Sequence, residues 1–283
     1  MDPSQDSPTE DSPTGNSAHG LAVKARDFGL RGPRGWVFRG VRLDAGPGSL
    51  IAVEGPSGSG RTCLLLALTG RMKPTEGVAT VGGFALPRRM SAVRRVSAVA
   101  NVAGVSDLDP ALTVGEHLRE RALLQRRFGG SLRGLLRPRA ERADEAQRTG
   151  SAPAAAGLDL DALPKGARTA VRDLERLEAL RLSVALALVG GPRLLAVDDT
   201  DLKLSAAERA EAHALLASVA AAGTTVVAVY AEAPEGAVTV STRPVEATGA
   251  PDDEAPAHET TDDGATDDEA KEAADALAET GRA

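Results

Sequence analysis

A glycine-rich run between two apolar segments constrains this chain more than any other feature. Residues 55–62 read GPSGSGRT, and they follow the apolar LIAVE at 50–54 and precede the leucine-rich LLLALTG at 64–70. A strand, a glycine loop and a helix in this order direct backbone N–H groups and a helix N-terminus toward one point, which favours a phosphate group. The loop departs from the phosphate-binding pattern G-x-x-x-x-G-K-[ST] only at Arg61, where the pattern has lysine.

An ordinary Gly/Ser turn is the alternative reading of this loop. A second feature argues against it. The apolar run PRLLAVDD at 192–199 ends on two carboxylates, Asp198 and Asp199, at a distance of 136 residues from Thr62. Carboxylates at the end of an apolar strand are what a site for Mg²⁺ and a nucleotide requires.

The order of apolar periodicities predicts an α/β fold. Strands alternate with helices, which is typical of an open parallel sheet, and a mainly helical insertion is predicted at about residues 105–180. The predicted strands lie at 36–43, 49–54, 78–83, 192–199 and 224–231, and the predicted helical stretches lie at 113–146, 174–190 and 205–223.

Charge and composition separate the two ends of the chain from its middle. Residues 1–20 hold four acidic residues and no Lys or Arg, and residues 251–283 hold twelve acidic residues against two basic ones. The net charge of -7 therefore conceals a middle part at about +7. We predict a folded domain at 21–243 and disordered acidic tails at 1–20 and 244–283, because the tails bury too little apolar surface to offset chain entropy.

The cysteine count and the lengths of the apolar runs indicate the cellular compartment of the protein. Cys63 is the single cysteine, so a disulfide framework is excluded and a reducing compartment is favoured. No apolar run approaches the ~18 residues of a membrane-spanning helix, and the N-terminus lacks a signal-peptide pattern. We therefore expect a cytoplasmic protein.

The run GSLIAVEGPSGSGRTCLLLALTGRMKPTEGVATVGG at 48–83 resembles the start of an ATP-binding cassette ATPase, the soluble subunit of ABC transporters. Residues 109–124 and 156–174 resemble later segments of that family, so the resemblance extends over roughly 21–240. It implies a P-loop (RecA-like) core with an antiparallel β subdomain and an inserted α-helical subdomain. It also implies ATP and Mg²⁺ as cofactors, a homodimer or a heterodimer with a second cassette, and a membrane-spanning transporter subunit as partner at the inner face of the cell membrane.

The resemblance assigns roles to particular residues. Mg²⁺ is expected at Thr62 and Asp198, and Asp199 replaces the glutamate that orients the attacking water, with a side chain one methylene shorter. For the adenine ring, Phe28 is the first choice of stacking aromatic and Trp36 the second, although a core role fits either residue equally well because aromatics make up only 2% of the chain. The remaining nucleotide-binding residues implied by the family are Gly55, Pro56, Ser57, Gly58, Ser59, Gly60, Arg61, Thr62 and Cys63, although Cys63 also fits a packed small hydrophobe.

Other family motifs are replaced in this sequence. The signature LSGGQ aligns with LERLE at 174–178, and the Q-loop glutamine aligns near Gly104, with Asn101 as the nearest amide. The D-loop aspartate aligns with Ser205, and the switch histidine aligns with Ala231. These changes affect hydrolysis more than binding, because hydrolysis needs a positioned water, a switch residue and the signature of the partner.

We therefore expect an ATP-binding transport subunit that binds MgATP with weak or no hydrolysis on its own. Two alternatives stay open: an active transport ATPase whose substitutions are tolerated, and a non-catalytic regulatory protein that keeps the fold. No nucleic-acid partner is expected, because the acidic tails would repel phosphate.

Overall fold

The computed structural model describes residues 19–128 and 150–242. The predicted disorder of the two acidic tails falls outside these residues, apart from the junction at 19–20. The predicted domain limits at 20/21 and 243/244 therefore stay predictions.

A five-stranded parallel sheet forms the centre of the molecule, with the strand order β6-β7-β8-β3-β9. Its strands are nearly continuous apolar runs, as expected for a sheet covered on both faces. This explains why 49–54, 192–199 and 224–231 could be recognised as strands from the sequence. The strands are β3 (Leu50–Glu54), β6 (Ser97–Ala100), β7 (Leu194–Val197), β8 (Thr225–Val229) and β9 (Val238–Ser241).

Helices cover the two faces of this sheet. α1 (Arg61–Leu68) and α2 (Met90–Val96) belong to one buried cluster, which also contains Ile51 and Val53 of β3. The opposite cluster contains α5 (Arg176–Leu188), α6 (Ala206–Ala221) and the intervening Ala52. The alternation of successive β3 side chains between the two clusters is the period-two geometry of a strand.

A second sheet is antiparallel, with the order β2-β1-β4-β5. It contains β1 (Val23–Gly32), β2 (Gly35–Ala45), β4 (Glu76–Val81) and β5 (Phe84–Leu86). The sequence indicated parts of β2 and β4 but not β1, whose pairing with β2 is interrupted by three register shifts. These irregularities break the period-two pattern by which a strand is recognised.

The inserted region contains helices and short 3₁₀ turns in its described part. α3 (Val114–Phe128) and α4, of which residues 150–155 are described, belong to it. Its own small core joins Val114, Leu158 and Leu163 to Leu182 of α5, so α5 connects the insertion to the central sheet. The α/β architecture with an antiparallel sheet and a helical insertion is as predicted. None of the helices within 19–128 and 150–242 is long and apolar enough to cross a membrane.

Candidate nucleotide-binding site

The glycine loop lies where β3 ends and α1 begins. Gly60 immediately precedes α1 with φ 83°, and a Cβ there would lie 2.3 Å from the carbonyl oxygen of Val37, so only glycine fits. α1 has no side-chain N-cap and no acidic residue in its first turn. Its first N–H groups therefore remain available to an anion, as the sequence predicted.

Thr62 and Asp198 meet at the C-terminal edge of the sheet. The Thr62 hydroxyl donates to Oδ2 of Asp198 at 2.6 Å, and the Asp199 N–H donates to Oδ1 at 3.0 Å. Asp198 is only 4% exposed, and this burial, with a smaller contribution from the neighbouring Asp199 charge, raises the pKa of its carboxyl group. The structure thus brings together the two residues that were expected to bind Mg²⁺.

Arg61 lies within this site but is already engaged. Its Nη1 donates to the carbonyl oxygen of Tyr230 at 3.2 Å, at the point where β8 ends. The Arg61 side chain therefore connects the start of α1 to the end of β8, the strand that pairs with β3.

Asp199 adopts a left-handed backbone conformation with φ 48°, which aspartate tolerates better than most residues. Asn101 directly follows β6 and contacts the same segment, because its Nδ2 donates to the Asp198 carbonyl oxygen at 2.9 Å. Of the two residues considered for the Q-loop position, Asn101, the nearest amide, contacts this segment, and the alignment near Gly104 stays a prediction. Gly104 instead donates its N–H to Asp107, three residues further along the chain.

The expectation that Phe28 stacks on an adenine ring is wrong. Phe28 is 0% exposed and packs against Phe38, with 5.9 Å between the ring centroids, so neither of its faces is available. Trp36, the second choice, is 42% exposed. The guanidinium carbons of Arg31 and Arg39 lie 5.7 and 4.7 Å from its ring centroid, a cation–π arrangement at the end of the β1–β2 hairpin.

Cys63 lies in the first turn of α1. It is partly buried and packs against the hydrophobic cluster to which the buried leucines of α1 belong. Burial, together with the negative charge of Asp198, raises the pKa of its thiol. These contacts suit the reading as a small packed hydrophobe; contact with a nucleotide stays a prediction.

The segment aligned with the family signature has a structural role at the start of α5. Glu175 precedes the helix, and its N–H donates to Oε2 of Glu178 at 2.8 Å. Leu177 is 6% exposed and belongs to the core beneath the sheet. At least three of the five LERLE side chains, those of Leu174, Leu177 and Glu178, are therefore engaged in packing or capping.

Sequence reasoning missed Asp201, which lies two residues beyond Asp199. Its Oδ2 accepts the N–H of Ala231 at 2.6 Å, and the adjacent Thr200 hydroxyl donates to the Val229 carbonyl oxygen at 2.6 Å. The loop after β7 is thereby tied to the end of β8, at the position aligned with the switch histidine. No sequence pattern signalled this contact.

The donor set fits Mg²⁺ held jointly by protein and phosphate. Mg²⁺ prefers oxygen ligands and retains water or phosphate oxygens beside one or two protein groups. Thr62 and Asp198 supply such oxygens. Within the described residues, no three His, Cys, Asp or Glu side chains converge into a metal site of their own.

Comparison with known proteins defines the class to which this site belongs. The ABC transporter family model matches residues 38–201, which is more than half of the chain. The chain therefore belongs to the ABC transporter family, the family that the sequence resembled.

Individual relatives are similar over parts of their length. The Nod factor export ATP-binding protein I of Cupriavidus metallidurans is 30% identical over 190 residues, covering 67% of this chain and 56% of that protein. The Fe(3+) ions import ATP-binding protein FbpC of Streptomyces avermitilis is 33% identical over 165 residues, or 58% and 41% of the two chains. The hemin import ATP-binding protein HmuV of Rhizobium meliloti is 39% identical over 61 residues, or 22% and 23%. The chain thus spans less than two thirds of these relatives.

Solved structures confirm the fold. The dimeric ATP-binding cassette MJ0796, bound to ADP and Pi, superposes with a TM-score of 0.56 at 22% identity, covering 74% of this chain and 88% of that one. The cbiO1 protein of Clostridium perfringens superposes with a TM-score of 0.58 at 17% identity, covering 74% and 78%. The predicted P-loop core with an antiparallel β subdomain and a helical insertion is therefore confirmed.

Proposed function

We propose that this chain is the ATP-binding subunit of an ABC-type membrane transport system, and that it binds MgATP with weak or no hydrolysis on its own. The observation that carries the proposal is the contact between Thr62 and Asp198 at the mouth of an uncapped helix. It combines two oxygen donors for Mg²⁺ with free N–H groups for phosphate.

Binding rests on groups that the chain retains. The N–H groups of the loop and of the first turn of α1 would hold the phosphates, and Thr62 and Asp198 would hold the metal. When bound, Mg²⁺ would neutralise phosphate charge. Thr62 lies on α1 and Asp198 directly follows β7, so both donors are held by rigid elements and little ordering is required when the nucleotide enters.

Arg61 weakens the binding without abolishing it. To reach a phosphate, its guanidinium group must give up its hydrogen bond to the Tyr230 carbonyl oxygen. The loss of that bond makes the free energy of binding less favourable by ~1 kcal/mol. A planar guanidinium group is also bulkier than the ammonium group that this kind of loop surrounds. We expect affinity below that of a lysine-containing loop.

Hydrolysis lacks most of its supporting groups. Asp199 is shorter than glutamate, and a misplacement of about 1 Å costs on the order of 100-fold in rate. Ala231 has no side chain that could contact a γ-phosphate. Glu175 would place a carboxylate against the phosphate of a second cassette, and Leu177 is fixed in the core.

These losses favour a heterodimer over a homodimer. In a heterodimer, the loop of this chain could use the intact signature of a second cassette, whereas a homodimer would place LERLE at both sites. The relatives are named as ATP-binding proteins of import and export, and one structural neighbour is a dimer, which supports a second cassette and a membrane-spanning subunit as partners. The chain would then lie at the inner face of the membrane.

Isothermal titration of the purified chain with MgATP tests the proposal. The wild type is expected to bind, Arg61→Lys to bind more tightly and Arg61→Ala to bind about tenfold more weakly, since a charge-assisted phosphate contact is lost. Arg209→Ala, which removes an exposed arginine from α6, is the matched control and should bind like the wild type. The absence of heat and of a thermal shift at millimolar nucleotide would contradict ATP binding.

Turnover separates the remaining alternatives. Steady nucleoside triphosphate hydrolysis that disappears in Asp199→Asn would identify an active ATPase. A chain that binds neither MgATP nor MgADP would instead be a non-catalytic regulatory protein.

A further inference from the structure

We propose that Thr242 is a positioning residue that fixes the shape of the phosphate loop, an inference that rests on the proposed nucleotide site. Thr242 directly follows β9 and is 3% exposed, about 180 residues from the loop in sequence. β9 is the edge strand of the parallel sheet and pairs with β3 up to the register Glu54↔Ser241. Thr242 therefore lies beside the residue at which the phosphate loop begins.

A chain of hydrogen bonds connects Thr242 to both ends of the loop. Its hydroxyl donates to the Glu54 carbonyl oxygen at 3.1 Å, and its N–H donates to the same oxygen at 2.9 Å. Because the single hydroxyl proton is used in this way, the Ser59 hydroxyl is the donor in its 2.6 Å contact with the Thr242 Oγ1 atom. The two hydrogen bonds, from Ser59 to Thr242 and from Thr242 to Glu54, strengthen each other, because each one polarises the hydroxyl group that they share.

Gly55 makes room for this connection. Its φ is 153°, and a Cβ there would lie 2.3 Å from Thr242 Oγ1 and 2.5 Å from Ser59 Oγ. The absence of a side chain at Gly55 thus lets the two hydroxyls meet across the start of the loop. The first glycine of the loop therefore has a second function besides close approach to phosphate.

The connection limits how far the loop can open. Within the loop itself, the Ser59 N–H donates to the Pro56 carbonyl oxygen at 3.1 Å, a single turn contact. Thr242 adds an attachment of the loop to the end of β9, the edge strand of the sheet. Without the Thr242 hydroxyl, Ser59 would lose its partner, and the N–H groups at 57–60 would have to be ordered by the phosphate when it binds, at a cost in affinity.

Hydrogen–deuterium exchange of the nucleotide-free chain tests the geometry independently of any nucleotide. Thr242→Val removes the hydroxyl at nearly constant volume, and the Ser59 amide, which donates to the Pro56 carbonyl oxygen, should exchange about five- to tenfold faster. Thr242→Ser keeps the hydroxyl and should retain wild-type protection. Thr239→Val makes the same change at an exposed position of β9 and is the control. Unchanged exchange in Thr242→Val, or equal acceleration in Thr242→Ser, would overturn the proposal.

Titration with MgATP then tests the consequence for the site. Thr242→Val should bind about five- to tenfold more weakly than the wild type, with Thr242→Ser and Thr239→Val close to the wild type. Ser59→Ala leaves β9 intact and should weaken binding similarly, so the test survives if Thr242→Val folds poorly. Equal affinity of Ser59→Ala and wild type would contradict the positioning role. Failure of the wild type to bind would contradict the proposed function alone, because the exchange experiment still decides the role of Thr242.

Discussion

Asp198, the proposed Mg²⁺ ligand that directly follows β7, lies in a buried place that disfavours the charge a metal would need. Its carboxyl group is buried, and its pKa is raised first by that burial and then by the charge of Asp199. An acid whose pKa is raised in the folded state loses stability as the pH rises from its unfolded pKa through its folded pKa, since the folded chain holds the proton more tightly. The full penalty is present at pH values above the raised pKa.

Replacement of Asp198 by asparagine should reveal this conflict. The amide can still accept the Asp199 N–H and can donate to the Thr62 hydroxyl, so both hydrogen bonds survive without the charge. We expect Asp198→Asn to raise the melting temperature of the nucleotide-free chain at pH 7, by about 2–4 °C for each kcal/mol regained. The difference should shrink as the pH falls through the raised pKa of Asp198.

The same variant should lose the dependence of ATP affinity on Mg²⁺, because an uncharged amide is a poorer metal ligand. Calorimetric scans at several pH values and ATP titrations with and without Mg²⁺ measure the two effects. A lower melting temperature together with intact Mg²⁺ dependence would show that Asp198 serves the core and not the metal.

Secondary-structure elements explain which parts of the site could be foreseen. β3 and β7 are buried runs that end directly before GPSGSGRT and Asp198, so the sequence alone was enough to place the glycine loop and this carboxylate at the ends of two strands. β1 was not recognised, because its register shifts around Phe28 and the φ of 48° at Asp27 break the alternation. Because of these irregularities, the core position of Phe28 could not be predicted from an alternating apolar pattern.

The long-range contacts around the site could not be foreseen. Asn101 was named as the nearest amide to the Q-loop position, but its contact with the Asp198 carbonyl oxygen was not predicted, because β6 is a four-residue strand too short to be recognised. Asp201 and Thr242 contact partners about 30 and more than 180 residues away. Such contacts follow from the strand order of the sheet, and local patterns do not carry that information.

The start of α6 provides a test at the level of one element. Ser205 caps this helix: its N–H donates to Oε2 of Glu208 at 2.7 Å, and its hydroxyl accepts the Glu208 N–H at 3.3 Å. Ser205→Ala should destabilise the chain by about 1 kcal/mol. Ser205→Asp, which restores the residue that the family carries there, should retain the stability, because aspartate caps equally well.

Denaturant titration measures both changes, and Ser218→Ala in the last turns of α6 is the matched control. Alanine is the better helix former there, so this control should not destabilise. Equal unfolding free energies for Ser205→Ala and the wild type would mean that the cap contributes nothing to stability.

The whole molecule combines an ABC cassette fold with residues that differ from the family motifs at several aligned positions. The ends of the parallel strands bring Arg61, Thr62 and Asp198 together, and these are the groups on which the proposed nucleotide binding rests. At the positions associated with hydrolysis, Glu175 and Leu177 instead begin and anchor α5. Restoring glycine at Leu177 would open a cavity in the core, so the altered signature is part of the packing.

The central claim is that the chain binds MgATP with weak or no hydrolysis. Identification of the nucleotide that stays bound after equilibration with MgATP tests it most directly. The purified chain would be mixed with labelled ATP and Mg²⁺, separated from free nucleotide, and the bound fraction identified as ATP or ADP over time. We predict stoichiometric binding with ATP still the bound species after many minutes. Rapid conversion to ADP, at about 1 per second or faster as in ordinary enzymes, would contradict the account, and so would the absence of bound nucleotide.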